Sequence, residues 1–184
     1  IIRQSYNERR RAFVNRLTAI AGAPPVRGWL AHRDDALTSV DPWNGTVWTA
    51  DATMVSQLLP HGKGTLRQFA ALSSNYLTSA DAANCSFGNA TVDQPFTLLF
   101  YGTVSDTANA RVMISKWDTA QSEYLFSLGT TDLLNMRIYT AASDAVLCLR
   151  ASDAAIPMGT PHLYWTTYSG VGGAAAGDGI VLGV

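Results

Sequence analysis

Carboxylate pairs are what this sequence lacks most. Only two of its 184 residues are glutamate, Glu8 and Glu123, and they lie in unrelated segments. No candidate strand carries two alternating acidic residues. Glycoside hydrolysis needs two carboxyl groups flanking one bond, so a hydrolase of that type is not expected. The three histidines, His32, His61 and His162, are scattered, with no H-x-x-x-H and no C-x-x-C, which argues against a zinc site. No G-x-S-x-G appears, so a nucleophilic serine has no anchor. HGKGT (61–65) lacks the first glycine of a phosphate-binding loop and leads into a strand, so it reads as a turn. The expectation is a protein that is not an enzyme, with no catalytic residue, no metal and no cofactor.

Charge is also scarce. Charged residues make up 15% of the chain and the net charge is −1. That balance gives no overall attraction to nucleic acid or to an anionic membrane. No apolar run is long enough to span a bilayer. No specific nucleic acid and no membrane are therefore expected as partners. Two cysteines do not make a disulfide framework. Cys85 and Cys148 lie in hydrophobic surroundings, where free buried cysteine is common, and a bond between them would need demanding geometry.

What the chain does have is 47% hydrophobic content, enough for one well-buried core. The periodicity changes once. Over residues 2–22, Ile2, Tyr6, Phe13, Leu17 and Ile20 recur at helical spacing, and Gly22 with Pro24 and Pro25 stops the pattern. This predicts an amphipathic helical arm over 1–25, with Arg3, Arg9, Arg10, Arg11 and Arg16 on its other faces. Two readings of the arm stay open: docking on a partner, or packing by its stripe on its own domain.

After Pro25 apolar residues alternate with period two, and turn residues separate the runs. Candidate strands are TLRQFAAL (65–72), FTLLFYGTV (96–104), RVMISKW (111–117), EYLFSL (123–128), LLNMRIY (133–139), AVLCLR (145–150), HLYWTTY (162–168) and GIVLGV (179–184). The loops between them are too short for crossover helices, so the sheets must be antiparallel. Parity places Phe96, Leu98 and Phe100 on one face, as it does Val112 with Ile114, and Tyr124 with Phe126 and Leu128. Leu134, Met136 and Ile138 share a face opposite Asn135 and Arg137. Phe96, Leu98, Phe100, Ile114, Tyr124, Phe126, Leu134, Met136, Ile138 and Trp165 are the expected core. Region 26–64, with Trp29, Trp43 and Trp48, is less regular and predicts short strands and a long wrapping loop. In SKWDTAQSEYLFSL (115–128), Ser115 to Trp117 close one strand, 118–122 turn, and 123–128 return.

Several of these stretches resemble motifs of LamG-like, concanavalin A-type jelly rolls. GKGTLRQFAALSSNYLTSAD (62–81) is similar to that family's opening strand and turn. FTLLFYGTV resembles its next strand, and ISKWDTAQSEYLFSL its I-x-K hairpin. HLYWTTYSG resembles the strand ending in Y-D-G, and DGIVLGV the start of the strand carrying L-Y-V-D-G. The match runs over about residues 28–184. It implies an antiparallel β-sandwich over 26–184, with further strands expected after DGIVLGV. Asn75 and Ser169 stand where the family often has aspartate, so calcium is not expected here.

The resemblance also carries the functional expectation. A helical arm ahead of a jelly roll is similar to the arrangement in phage virion proteins. The chain then reads as a structural or adhesive virion component (head decoration, head fibre or tail-associated) with other virion subunits as partners, in a homo-oligomer. Phe13, Leu17, Arg9, Arg10 and Arg11 would be its assembly helix. The alternative is a secreted or cell-surface carbohydrate-binding module, with Trp43 and Trp117 as possible contacts to a glycan, such as one on a host surface.

Overall fold

The computed structural model describes residues 8, 11–12, 15–16, 18–19, 38–40, 46–50, 55–58, 65–69, 76–87, 93–105, 109–116, 122–140 and 146–184. The protein is mainly β and its sheets are antiparallel. The chain divides into two compact units, residues 1–85 and 86–184.

Among its described residues the first unit holds five short strands: β1 (Thr38–Val40), β2 (Val47–Ala50), β3 (Val55–Leu58), β4 (Thr65–Gln68) and β5 (Leu77–Ser79). They form a three-stranded sheet β1-β2-β5 and a separate hairpin β3-β4. Short strands are what region 26–64 predicts. The strand expected over 65–72 ends early, at Gln68. The helical arm falls mostly outside the described residues. Glu8, Arg11, Ala12, Asn15, Arg16, Thr18 and Ala19 are described, each with helical backbone; Phe13 and Leu17 lie outside.

The second unit contains seven strands among its described residues. They are β6 (Phe96–Gly102), β7 (Arg111–Lys116), β8 (Tyr124–Leu128), β9 (Leu134–Tyr139), β10 (Val146–Ala151), β11 (His162–Tyr168) and β12 (Ile180–Gly183). All seven coincide with runs of alternating sequence. β7 to β10 follow one another as a meander, giving a sheet of order β10-β9-β8-β7. Short polar loops permit this because antiparallel neighbours need only a hairpin. The β8–β9 turn is closed by the Gly129 amide donating to the Leu133 carbonyl at 2.9 Å. Asp132 takes a left-handed backbone there, φ 63°, a conformation aspartate tolerates better than most residues. β11 returns to pair with β6 and then with β12, giving a sheet of order β12-β11-β6.

Side chains from both sheets meet in one hydrophobic cluster. Leu98 comes from β6, Tyr164 and Tyr168 from β11, and Ile180 from β12; Tyr124, Phe126, Leu128, Leu134, Met136 and Ile138 come from β8 and β9. Phe126, Leu128, Leu134, Met136 and Tyr164 are fully buried. Phe96, Phe100 and Ile114 are half-buried and pack against the cluster. Aromatic rings line one end: Phe87 stacks on Phe96 with centroids 4.3 Å apart, and Phe96 meets Tyr124 and Tyr168 at 5.5 Å each. Such offset pairs add to what area burial alone supplies.

Two expectations of the sequence are corrected. Val112 and Ile114 do not share a face, because the register shifts between them. A bulge adds one residue and flips the parity beyond it, leaving Val112 exposed and Met113 and Ile114 half-buried. Trp165 is half-buried and has the opposite parity to Tyr164, which is fully buried. Two adjacent aromatics cannot both point inward from one strand. Tyr164 takes the core and Trp165 the other face.

Candidate functional site

Of the candidate site residues singled out in the sequence, Arg11 alone is among the described residues. Phe13, Leu17, Arg9, Arg10, Trp43 and Trp117 lie outside the described residues, and Arg11 is exposed. The stretch 115–128 does contain a hairpin: β7 and β8 pair from Lys116↔Tyr124 to Arg111↔Leu128. The Glu123 amide donates to the Lys116 carbonyl at 3.0 Å.

At the mouth of that hairpin is a polar cluster. The Lys116 ammonium forms an ion pair with Glu123 Oε1 and also donates to Ser86 Oγ. The Ser86 hydroxyl donates to the same Glu123 oxygen at 2.9 Å. Serine, lysine and a carboxylate are the ingredients of nucleophilic catalysis. A lysine acting as general base must be neutral, and a carboxylate in direct contact favours its charged form. Chemically this is an ion pair that ties Ser86 to the ends of β7 and β8.

A second polar group lies at the end of β11. The Tyr168 hydroxyl shares its proton between Asp93 Oδ2 at 2.7 Å and the Val171 carbonyl at 2.9 Å. Burial raises the Tyr168 pKa well above the usual tyrosine value, and the adjacent Asp93 carboxylate raises it further. Burial also raises the Cys148 thiol, partly offset by a hydrogen bond with the Ile138 backbone. Both cysteines are free, and a thiol with a raised pKa is a poor nucleophile at neutral pH. The chain turns tightly over Asp93. Gly170 has φ +80°, and a Cβ at Gly172 would stand 3.1 Å from Asp93 Oδ2. No group of three or more His, Cys, Asp or Glu gathers among the described residues.

The remaining feature is the outward face of the β12-β11-β6 sheet. Register puts Leu163 opposite Tyr101, Trp165 opposite Leu99, and Thr167 opposite Thr97. On the other side Trp165 faces Gly183 and Thr167 faces Val181. Residues directly opposite share a face, so Leu99, Tyr101, Leu163, Trp165 and Val181 form one apolar surface. Leu99 is 51% exposed, Tyr101 70%, Leu163 48% and Val181 53%. Trp165 lies across Gly183, where any Cβ would run into the indole. Glycine there lets the ring lie down on the strand. Large contiguous apolar surfaces of this kind mark interaction sites on soluble proteins. The sequence signal was present: FTLLFYG and HLYWTTY carry large apolar residues at both parities, as a strand apolar on both faces does.

No protein-family model, curated protein or solved structure matches the chain.

Proposed function

We propose that the protein is a non-enzymatic structural or adhesive component of a larger assembly, and that the apolar face on β6, β11 and β12 docks against a second copy of the chain. Two antiparallel sheets sharing one core support a two-layer sandwich of the LamG-like type. A virion protein, placed at a head or tail and contacting other virion subunits, is the assembly most in keeping with that reading. The exposure of Leu99, Tyr101, Leu163 and Val181 on one face carries the proposal. A sheet face without a charged residue gains most by leaving water against a matching surface. Self-association places the same patch on both partners about a two-fold axis. The helical arm, with Phe13 and Leu17 as its stripe and Arg9, Arg10 and Arg11 beside it, is a further contact in the same assembly.

A second reading, a secreted or cell-surface carbohydrate-binding module, draws on the same face. Tyr101 and Trp165 offer aromatic rings on which a sugar can stack; Trp43 and Trp117, the contacts expected from the sequence, lie outside the described residues. Sedimentation equilibrium of the full chain separates the two. The assembly reading expects a concentration-dependent oligomer that Leu99→Lys with Leu163→Lys dissociates to monomer, and no affinity on a glycan array. A monomer that binds glycans and loses them in Tyr101→Ala overturns it.

A further inference from the structure

Both sheets of the second unit end on the same side in a strand with one open edge. Among the described residues β12 pairs with β11 alone and β10 with β9 alone. Between these edges runs a groove of about 190 Å3, lined by Arg150 to Asp153 and by Ile180 to Leu182. It falls below the range of roughly 300–1,000 Å3 in which small-molecule sites lie. One wall is the β12 segment Ile180 to Leu182.

The orientation of that backbone follows from the register. The Ser169 amide donates to the Gly179 carbonyl at 2.9 Å, so these two form a hydrogen-bonded pair. Pair types alternate along an antiparallel ladder. Thr167↔Val181 is then the next hydrogen-bonded pair, and the polar groups of Ile180 and Leu182 point away from β11. The Ile180 amide is taken by the Gly177 carbonyl. The Leu182 amide and carbonyl have no partner among the described residues. They are the groups with which a further strand would pair.

Across the groove, Arg150 occupies an unusual position. It stands directly opposite Met136 in the β9–β10 register, and Met136 is fully buried. Arg150 therefore lies on the core-facing side of β10, at its rim, where it is exposed. It has no hydrogen bond or ion pair among the described residues. Asp153, three residues on, is also exposed and does not pair with it. An inward-pointing charge on an edge strand is a device against indiscriminate pairing. Such a charge also selects, because it admits a strand that brings the opposite sign and rejects one that brings its own.

We propose that the open edge of β12 binds an extended peptide segment of a partner chain by strand addition, with an acidic side chain of that segment seated in the groove against Arg150. Main-chain bonds to Leu182 supply affinity and the groove supplies specificity, the division of labour seen in strand-addition recognition generally. This deepens the assembly reading, since it adds a contact of defined chemistry at the edge of the sheet that carries the apolar face, with Val181 common to both.

The test uses the full chain, isotope-labelled, titrated at low salt with two blocked heptapeptides, one alternating valine with glutamate and one alternating valine with lysine. The glutamate peptide is expected to bind about tenfold more tightly than the lysine peptide, the size of effect one attraction exchanged for one repulsion produces. The Leu182 amide, fast to exchange in the free protein, becomes protected in the complex. The Val181 amide, already bonded to β11, does not change. Arg150→Glu reverses the preference toward the lysine peptide, a result that a merely damaged fold cannot give. Binding of neither peptide, equal binding of both, or a preference that survives Arg150→Glu overturns the proposal. Self-association without peptide remains a separate measurement, so failure here leaves the assembly reading to its own test.

Discussion

The two sheets of the second unit each have a face turned away from the shared core, and the two faces are filled differently. On the β10-β9-β8-β7 sheet, Leu125 and Ser127 of the inner strand β8 are buried at 7% and 6% exposure. Ser115, Val112, Asn135 and Arg137 are their cross-strand neighbours, and Val112, like Leu149 opposite Arg137, is exposed. On the β12-β11-β6 sheet, Leu99, Tyr101, Leu163 and Val181 are each about half exposed or more, and no charged residue lies among them. The first face is buried at its inner strand β8, mixes leucine with polar groups, and exposes apolar residues at Val112 and Leu149 on its two edge strands. The second presents leucine, valine and aromatic rings to solvent. Equivalent positions in two sheets therefore have different energetic roles, and the difference teaches that burial on one side of a strand says little about the other.

The largest test of that contrast sets the core against the open face. Phe126→Ala should cost about 3–5 kcal/mol of unfolding free energy, because the side chain is fully buried and leaves a cavity as well as lost transfer energy. Leu163→Ala should cost under about 0.5 kcal/mol in a dilute monomer while weakening association. Urea titrations of both variants at low concentration check this. Equal costs would erase the distinction between the two faces.

The end of β11 offers a middle-sized effect. Tyr168→Phe removes a buried hydroxyl and leaves Asp93 without it, which should cost about 1–3 kcal/mol. The same group gives a pH dependence with a definite sign. Tyr168 and Cys148 both have raised pKa values in the folded chain. Each favours the protonated form when folded, so its contribution is complete below the unfolded pKa and is lost as pH rises through the folded one. Stability should decline from about pH 8.5, where a free thiol begins to ionise, and more steeply above about pH 10, where a free phenol does. Denaturant titrations between pH 7 and 11 should show the steeper portion shrink in Tyr168→Phe and persist in part, because burial also raises the Tyr164 hydroxyl. A rise in stability over that range would contradict the burial of both groups.

The smallest effect belongs to the hairpin mouth. Glu123→Gln breaks the pair with Lys116, whose side chains are only partly exposed, 17% and 23%. A cost of about 0–1 kcal/mol that shrinks at high salt is expected, as for ion pairs near a surface. A loss of several kcal/mol would make the cluster a keystone of the fold rather than a tie at one end of it.

The strands of the second unit were legible because their alternation and their turn residues agree. What was not legible follows from two local events. The bulge at Val112 adds a residue without any Gly or Pro to announce it, so parity beyond it could not be read. In HLYWTTY both Tyr164 and Trp165 suit a core, and only pairing with the small Gly183 shows which ring lies outward. The candidate site was hidden for a similar reason. Alternation assigns Leu147 and Leu149 of AVLCLR as readily to the core as to solvent, yet the register sends Cys148 and Arg150 inward. A charged residue at an inward position can be recognised only once its neighbour, Met136, is known. Of the tryptophans favoured for a glycan, Trp43 sits in a turn-rich sequence and Trp117 at the expected end of a strand, places where patterning says little about where a side chain points.

The order of strands along the chain has a kinetic consequence. The turn between β8 and β9 spans residues 129–133, whereas β6 and β11 pair across about sixty residues, from Gly102 to His162. Closing the longer loop costs roughly 2 kcal/mol more in chain entropy than closing the shorter. The meander β7 to β10 is accordingly expected to form early, and the β6–β11 pairing late. The apolar face exists only after that pairing, since its residues come from both strands. An assembly surface built last is presented only by chains whose cores are already closed, so the chain's own topology sets the sequence of folding before association.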